Sequence, residues 1–437
     1  MALSNVMTAL SRRSAGPTLL AAALLVVACG TSTPTVAPAT TAPTITPTAS
    51  PEASVSPTPA ASADLEAVYA EIEGQVVKLR GLQPKTPVAR NVLDDAGLRA
   101  FIAKKFSEDT PATLVEASEA LYKTLLLMPR DASLEELFVE LYSTQAIGLY
   151  DPDTKQLYVV SKTGTLGLLD RITYAHEYTH ALQDQTFDLQ AFMGDATDQS
   201  DRSLARTTAV EGDAYLTMGL WAQANLTSAE LGQIAGLADP ASEAALAKLP
   251  EIVKQALLFP ATSGISLALG DFSQGGFAAI DDRFANPPDS TEQILHADKL
   301  AAGEKPVAVT FPADLAGRLG AGWKVSLQDT FGEMQLEILL REGGSDASVD
   351  AAAGWGGDRV ALVEGPGGAV GVVVDTAWDT DTDAVEYAAA LEPLVGELKA
   401  AGQSAAVLQP EPGRVVLVTG STADVLGRLA NVLGLAQ

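Results

Sequence analysis

Leu65, Val68, Ile72, Val76 and Leu79 recur at three- and four-residue spacing, the pattern of an amphipathic helix. The same period predicts helices near residues 95–106 and 111–127, and Ser133 with Glu136 forms a capping box that opens a fourth. The pattern then changes. Ile147-Gly148-Leu149-Tyr150 and the run 156–160 are short and β-prone, and Asp151-Pro152-Asp153-Thr154-Lys155 between them is turn chemistry, so a hairpin is expected. Long helices are predicted over 168–185 and 203–224. Residues 229–300 read as helical again, broken at Pro240, Pro250, Pro260 and Pro287-Pro288; Ser290 and Gln293 then cap a short helix carrying His296. Further on, strand-like runs at 306–311, 323–328, 358–363, 368–374, 404–408 and 413–418 alternate with helical runs at 330–341, 380–400 and 421–434. The expected fold class is α+β: a mostly helical domain over 63–303 with a small hairpin, then a C-terminal α+β domain with an antiparallel sheet over 304–437.

Residues 1–28 read as a signal peptide, with Arg12 and Arg13 before an apolar run that is too short for an ordinary membrane span. The run ends in Val26-Val27-Ala28-Cys29, which resembles a bacterial lipobox and makes Cys29 the expected lipidation site. Cys29 is the one cysteine of the chain, so no internal disulfide is possible. Of residues 30–62, 29 of 33 are Thr, Ser, Pro, Ala or Gly, too little apolar surface to offset ordering entropy. Residues 29–62 are therefore read as a lipidated, disordered stalk that reaches up to ~100 Å at ~3.1 Å per residue. The expected location is extracytoplasmic, with the membrane as partner through the lipid anchor. With 28 basic against 55 acidic residues the chain lacks the footprint for nucleic acid, and nothing signals an oligomer, so a monomer is expected.

His176-Glu177-Tyr178-Thr179-His180 is the informative motif. On a helix, residues four apart share a face, so both imidazoles can bind one Zn2+. Glu177 can then reach a water on that metal and act as base in its attack on a peptide carbonyl. Two of the chain's three histidines fall in this pattern. A catalytic zinc needs a third protein ligand. Glu211, in Ala209-Val210-Glu211-Gly212-Asp213-Ala214, is the favoured candidate; Asp213 is the runner-up, or a group that holds a ligand histidine, and Asp184 a weaker alternative. Gly212 makes sense if two helices approach closely there. Tyr178, Met218, Leu220 and Trp221 have core-like spacing. The acids Asp375, Asp379, Asp381 and Asp383 read as a loop and helix N-terminus, with a calcium site as the minor alternative.

His176-Glu177-x-x-His180 with Glu211-Gly212-x-Ala214 downstream resembles the gluzincin branch of zinc metallopeptidases. Gln183 and Thr186 stand where the three-histidine metzincin pattern has glycine and histidine. The resemblance implies a zincin-like fold over 63–303, a glutamate ligand on a helix after the motif helix, and a strand before the motif that holds an extended substrate, here residues 156–160. Tyr215 stands four after Glu211, where thermolysin-like enzymes have an aspartate. The stretches 180–185 and 290–296 also resemble a group of uncharacterised bacterial lipoproteins. His296 is a candidate donor to the oxyanion of a tetrahedral intermediate. The leading expectation is a cell-surface zinc peptidase acting on a peptide or protein. The alternatives are a catalytically silent zinc-binding lipoprotein with a structural or binding role, and a solute-binding lipoprotein.

Overall fold

The structure, a computed structural model, describes residues 59–435 apart from 146–147, 161–165, 195–196, 235 and 238–239. The signal peptide, Cys29 and stalk residues 30–58 lie outside the described residues, whereas Pro59 to Ser62, expected to be disordered stalk, form the first turn of a helix.

The chain runs α1 (Pro59–Arg80), β1 (Ala89–Leu93), α2 (Asp95–Asp109), α3 (Ala112–Thr124), α4 (Leu134–Gln145), β2 (Gly148–Asp151), β3 (Gln156–Val160), α5 (Leu168–Phe187), α6 (Leu189–Met193) and α7 (Ser200–Asn225). It continues through α8 (Ser228–Ile234), α9 (Pro240–Ala247), α10 (Glu251–Gly275), α11 (Phe277–Ala285), α12 (Thr291–Leu295) and α13 (Ala297–Ala302). The C-terminal part comprises α14 (Leu315–Leu319), β4 (Lys324–Asp329), α15 (Gly332–Glu342), α16 (Ser348–Ala352), β5 (Trp355–Gly365), β6 (Ala369–Trp378), α17 (Asp381–Ala390), α18 (Glu392–Ala400), β7 (Ser404–Leu408), β8 (Arg414–Gly420) and α19 (Ala423–Val432). The fold class is α+β, with an antiparallel five-stranded C-terminal sheet of order β4-β5-β6-β8-β7.

That sheet is buried on both faces. Val360, Leu362, Val372, Val374, Val415 and Leu417 face one core, which they share with α3, α4 and α15. Their neighbours Ala361, Val363, Val373, Val416 and Val418 face a second core under α14 and α19. Double burial explains why these strands read as unbroken apolar runs rather than alternating ones. The first of these cores runs from Ile102 to Leu417 and crosses the expected boundary at 303/304, so the helical part and the sheet pack on one another.

Several expectations are corrected. Pro260 does not break its helix: it sits buried inside α10, where packing of Ala256, Leu257, Ala261 and Ile265 outweighs the lost N–H bond. The run 306–311 forms no strand; Val307 donates one backbone hydrogen bond to Gly356 O (2.6 Å), and Pro306 at its start and Pro312 just after it have no donor to offer a ladder. His296 is not inside a helix but caps the junction of α12 and α13. The helix expected over 380–400 is two, divided at Leu391 with Pro393 in the first turn of the second. β1 was not anticipated. It pairs parallel to β3, giving a three-stranded sheet of order β1-β3-β2 with β3 in the middle.

α5 is the centre of the helical part. Every residue from Ile172 to Asp184 is buried, against the small sheet, α1 and α7. α7 in turn crosses α10 with backbones in direct contact. A Cβ on Gly212 would lie 2.2 Å from the Gly264 carbonyl oxygen, and one on Gly264 would lie 2.6 Å from the Thr208 carbonyl oxygen. α10 is long and apolar enough to cross a bilayer, yet this crossing makes it a core helix. Gly212→Ala gains up to about 1 kcal/mol of helix propensity, but overpacking costs ~1–3 kcal/mol. We expect Gly212→Ala and Gly264→Ala to lower the midpoint of urea unfolding. Gly219→Ala, in the same helix with open space around it, should leave it unchanged or raise it. Equal behaviour of the three variants would contradict the crossing.

Candidate metal centre

A helix buried all round forces its polar side chains to find partners inside the protein. In α5, His176 and His180 meet one turn apart, with their Nε2 atoms 3.0 Å from each other. Glu211 reaches them from α7: one carboxylate oxygen lies 3.3 Å from His176 Nε2 and the other 3.6 Å from His180 Nε2. Three groups with lone pairs thus face a common point. His176, Glu177 and His180 have no exposed surface and the Glu211 side chain keeps 9%, so solvent approaches from the Glu211 side.

The network behind the histidines fixes the chemistry of one ring. Gln183 Nε2 donates to Val210 O (3.0 Å) and to Asp213 Oδ2 (2.8 Å). Both partners only accept, so the amide nitrogen must face them and Gln183 Oε1 faces His180 Nδ1 at 2.8 Å. Nδ1 therefore carries the hydrogen, and a neutral His180 presents its lone pair at Nε2, toward the common point. Asp213 reaches His180 through Gln183 and lies outside the His176, His180 and Glu211 group; Arg80 Nε donates to its other oxygen (2.7 Å). His176 Nδ1 has no hydrogen-bond partner, and its ring lies 4.6 Å from that of Tyr215.

Glu177 faces the hairpin, where the Tyr150 N–H donates to its Oε2 at 2.8 Å. Asp184, the weaker ligand candidate, is committed elsewhere. It accepts from Tyr150 Oη (2.7 Å), Lys155 Nζ (2.7 Å) and Leu189 N (3.2 Å), and so pins the hairpin to α5. The strand expected to hold substrate, β3, is paired on both sides, which leaves it no free edge; β2 is the edge strand against α5.

His296 is not brought to this cluster. Its Nε2 meets Glu333 Oε1 at 2.7 Å, and α12 lies against the start of α7, where Thr291 N donates to Asp201 (3.0 Å). At 1.5 Å per residue, that end of α7 is about 15 Å from Glu211. Glu292, Glu304 and Asp379 also have metal-like spacing. The Lys299 ammonium sits among them, 2.5 Å from Glu292, 3.2 Å from Glu304 and paired with Asp379. The acidic run is used internally as well: Asp375 pairs with Arg414 (2.6 Å), and Asp383 forms a reciprocal cap with Thr380 at the start of α17.

Three side chains that hold the cluster carry little signal of that in the sequence. Gln183, three after His180, had a local signal in that i,i+3 positions share a face. Tyr150 and Arg80 had none, because their partners are distant in the chain. Tyr215, four after Glu211, packs its ring against that of His176. Burial first, then the nearby Glu211 and Glu177 carboxylates, push its hydroxyl pKa well up, so it stays a neutral phenol.

The charges of the cluster act on one another. Burial opposes protonation of His180, but Glu211 and Glu177 outweigh it and raise its pKa to about 9. Burial likewise opposes ionisation of Glu211, but the two histidines lower its pKa to about 2. At neutral pH these shifts favour a proton on His180, which a metal bound between the same groups would have to displace. Zinc titrated into metal-free protein should release about one proton per ion between pH 6 and 8. Apparent affinity should rise about tenfold per pH unit there. Affinity independent of pH over that range would contradict this electrostatic picture.

Sequence relationships stop short of this cluster. A family described as “Domain of unknown function (DUF8575)” matches residues 323–430, which span β4 to most of α19 and include none of His176, Glu177, His180 and Glu211. No curated protein and no solved structure matches the chain.

Proposed function

We propose that the chain is a zinc-dependent peptidase, tethered at the outer face of the cell membrane through Cys29. The observation that carries this reading is the convergence of His176 Nε2, His180 Nε2 and the Glu211 carboxylate within 3.6 Å, with Glu177 next to them. Two atoms bonded tetrahedrally to one zinc at ~2.0–2.1 Å lie about 3.3 Å apart, close to the 3.0 Å between the two Nε2 atoms and to the 3.3 and 3.6 Å from them to the two Glu211 oxygens. Two imidazoles and one carboxylate suit zinc better than calcium, which takes about six to eight oxygens.

Zinc held by these three side chains supplies a Lewis acid that polarises a carbonyl and acidifies water. The rest falls to the protein. Glu177, oriented by the Tyr150 N–H, accepts the proton of the attacking water and passes it to the leaving amine. Gln183 and Asp213 keep the His180 ring in place through the reaction.

The second reading, a silent zinc-binding module, is favoured by one observation: the histidines and Glu177 are fully buried. Glu177→Gln separates the two. It should bind zinc like the wild type and lose roughly 10²–10⁴-fold in turnover of a peptide library. Wild-type protein that carries stoichiometric zinc and cleaves nothing supports the silent module. A Glu177→Gln variant as active as the wild type overturns the mechanism.

A further inference from the structure

We propose that Arg80 is a positioning residue for His180, acting through Asp213 and Gln183; the inference rests on the zinc reading above. Arg80 is the last residue of α1, and Gly81, with φ of 87°, turns the chain away after it. Its guanidinium is wholly buried. Nε donates to Asp213 Oδ1 (2.7 Å), Nη2 donates to Asp281 Oδ1 (2.6 Å), and the group lies 4.7 Å over the Phe277 ring. Nη1 has no partner. Burying an arginine short of its full hydrogen bonding is costly, and its most secluded contact is the one with Asp213, where both side chains are fully buried.

The two oxygens of Asp213 divide their work. Oδ1 takes Arg80, with Thr217 Oγ1 at 3.3 Å, and Oδ2 takes Gln183 Nε2 at 2.8 Å. Without the guanidinium the carboxylate loses its countercharge and one of the contacts that set its angle. Gln183 then keeps Val210 O as its one fixed acceptor. Its Oε1 is no longer held against His180 Nδ1, and the ring can turn its Nε2 away from the common point. The path runs from α1 through α7 to α5, so the helix that follows the stalk is tied to a ligand histidine.

A plain structural staple makes a different forecast, because Arg80 also holds Asp281 of α11. The test measures zinc affinity by chelator competition, melting temperature, and visible absorption after cobalt substitution, all on the full chain. Arg80→Met should weaken zinc by ~10–100-fold and shift the cobalt spectrum. Asp281→Asn should lower the melting temperature and leave both metal readouts unchanged. Arg80→Met in an Asp213→Asn background should cost no further affinity. This double variant leaves no buried carboxylate unpaired at 213, so it keeps the test decisive if Arg80→Met fails to fold. Wild-type affinity in folded Arg80→Met overturns the proposal. So does an equal loss in Asp281→Asn, or an added loss in the double variant. Wild-type protein that takes up no zinc overturns the zinc reading and this inference with it.

Discussion

Two imidazole nitrogens and a carboxylate held within 3.6 Å of one another, out of water, cannot all keep their lone pairs aimed at one point without positive charge between them. That constraint organises the helical half of the protein. Gln183 fixes the hydrogen of His180 on Nδ1, so a neutral ring has no proton to offer the cluster at Nε2. The missing donor can be a hydrogen on His176 Nε2, an added proton on His180, or a metal ion. The raised pKa of His180 and the lowered pKa of Glu211 describe the second case, and the ligand set describes the third.

The surrounding elements hold the donors in this arrangement. α5 is buried on every side, so its polar residues are fixed by partners rather than by solvent. α7 brings Glu211 and Asp213, and its place is set by the glycine crossing with α10, where neither backbone has room for a methyl group. The hairpin is clamped to α5 by one residue used twice: the Tyr150 N–H meets Glu177 and its hydroxyl meets Asp184. Arg80 closes the set from α1. The C-terminal sheet takes no part in the cluster, but it shares a core with the helical part and so supports it from a distance.

The sequence made the elements legible where the physics is local. The helix periodicity of Leu65 to Leu79, the hairpin around Asp151 to Lys155 and the doubly buried apolar strands all depend on near neighbours or on composition. So does the fold class built from them. His176, Glu177 and His180 were readable because an i,i+4 spacing on a helix fixes their relative position. What escaped was non-local. β1 has no alternation to betray it and exists through its pairing with β3. Pro260 looks like a helix breaker until the packing of α10 on α7 is known. His296 looked like a spare catalytic group, but its partner Glu333 lies on another helix. Arg80 and Asp213 are 133 positions apart, and no pattern in one sequence joins them.

The central claim is that the point shared by the two histidines and Glu211 is a zinc position. Anomalous diffraction at the zinc edge, from crystals grown with one equivalent of zinc, tests it most directly. The account predicts a single strong peak with His176 Nε2, His180 Nε2 and a Glu211 oxygen each within ~2.0–2.2 Å of it. No peak there, or a peak bound by other residues while Glu211 points away, would contradict it.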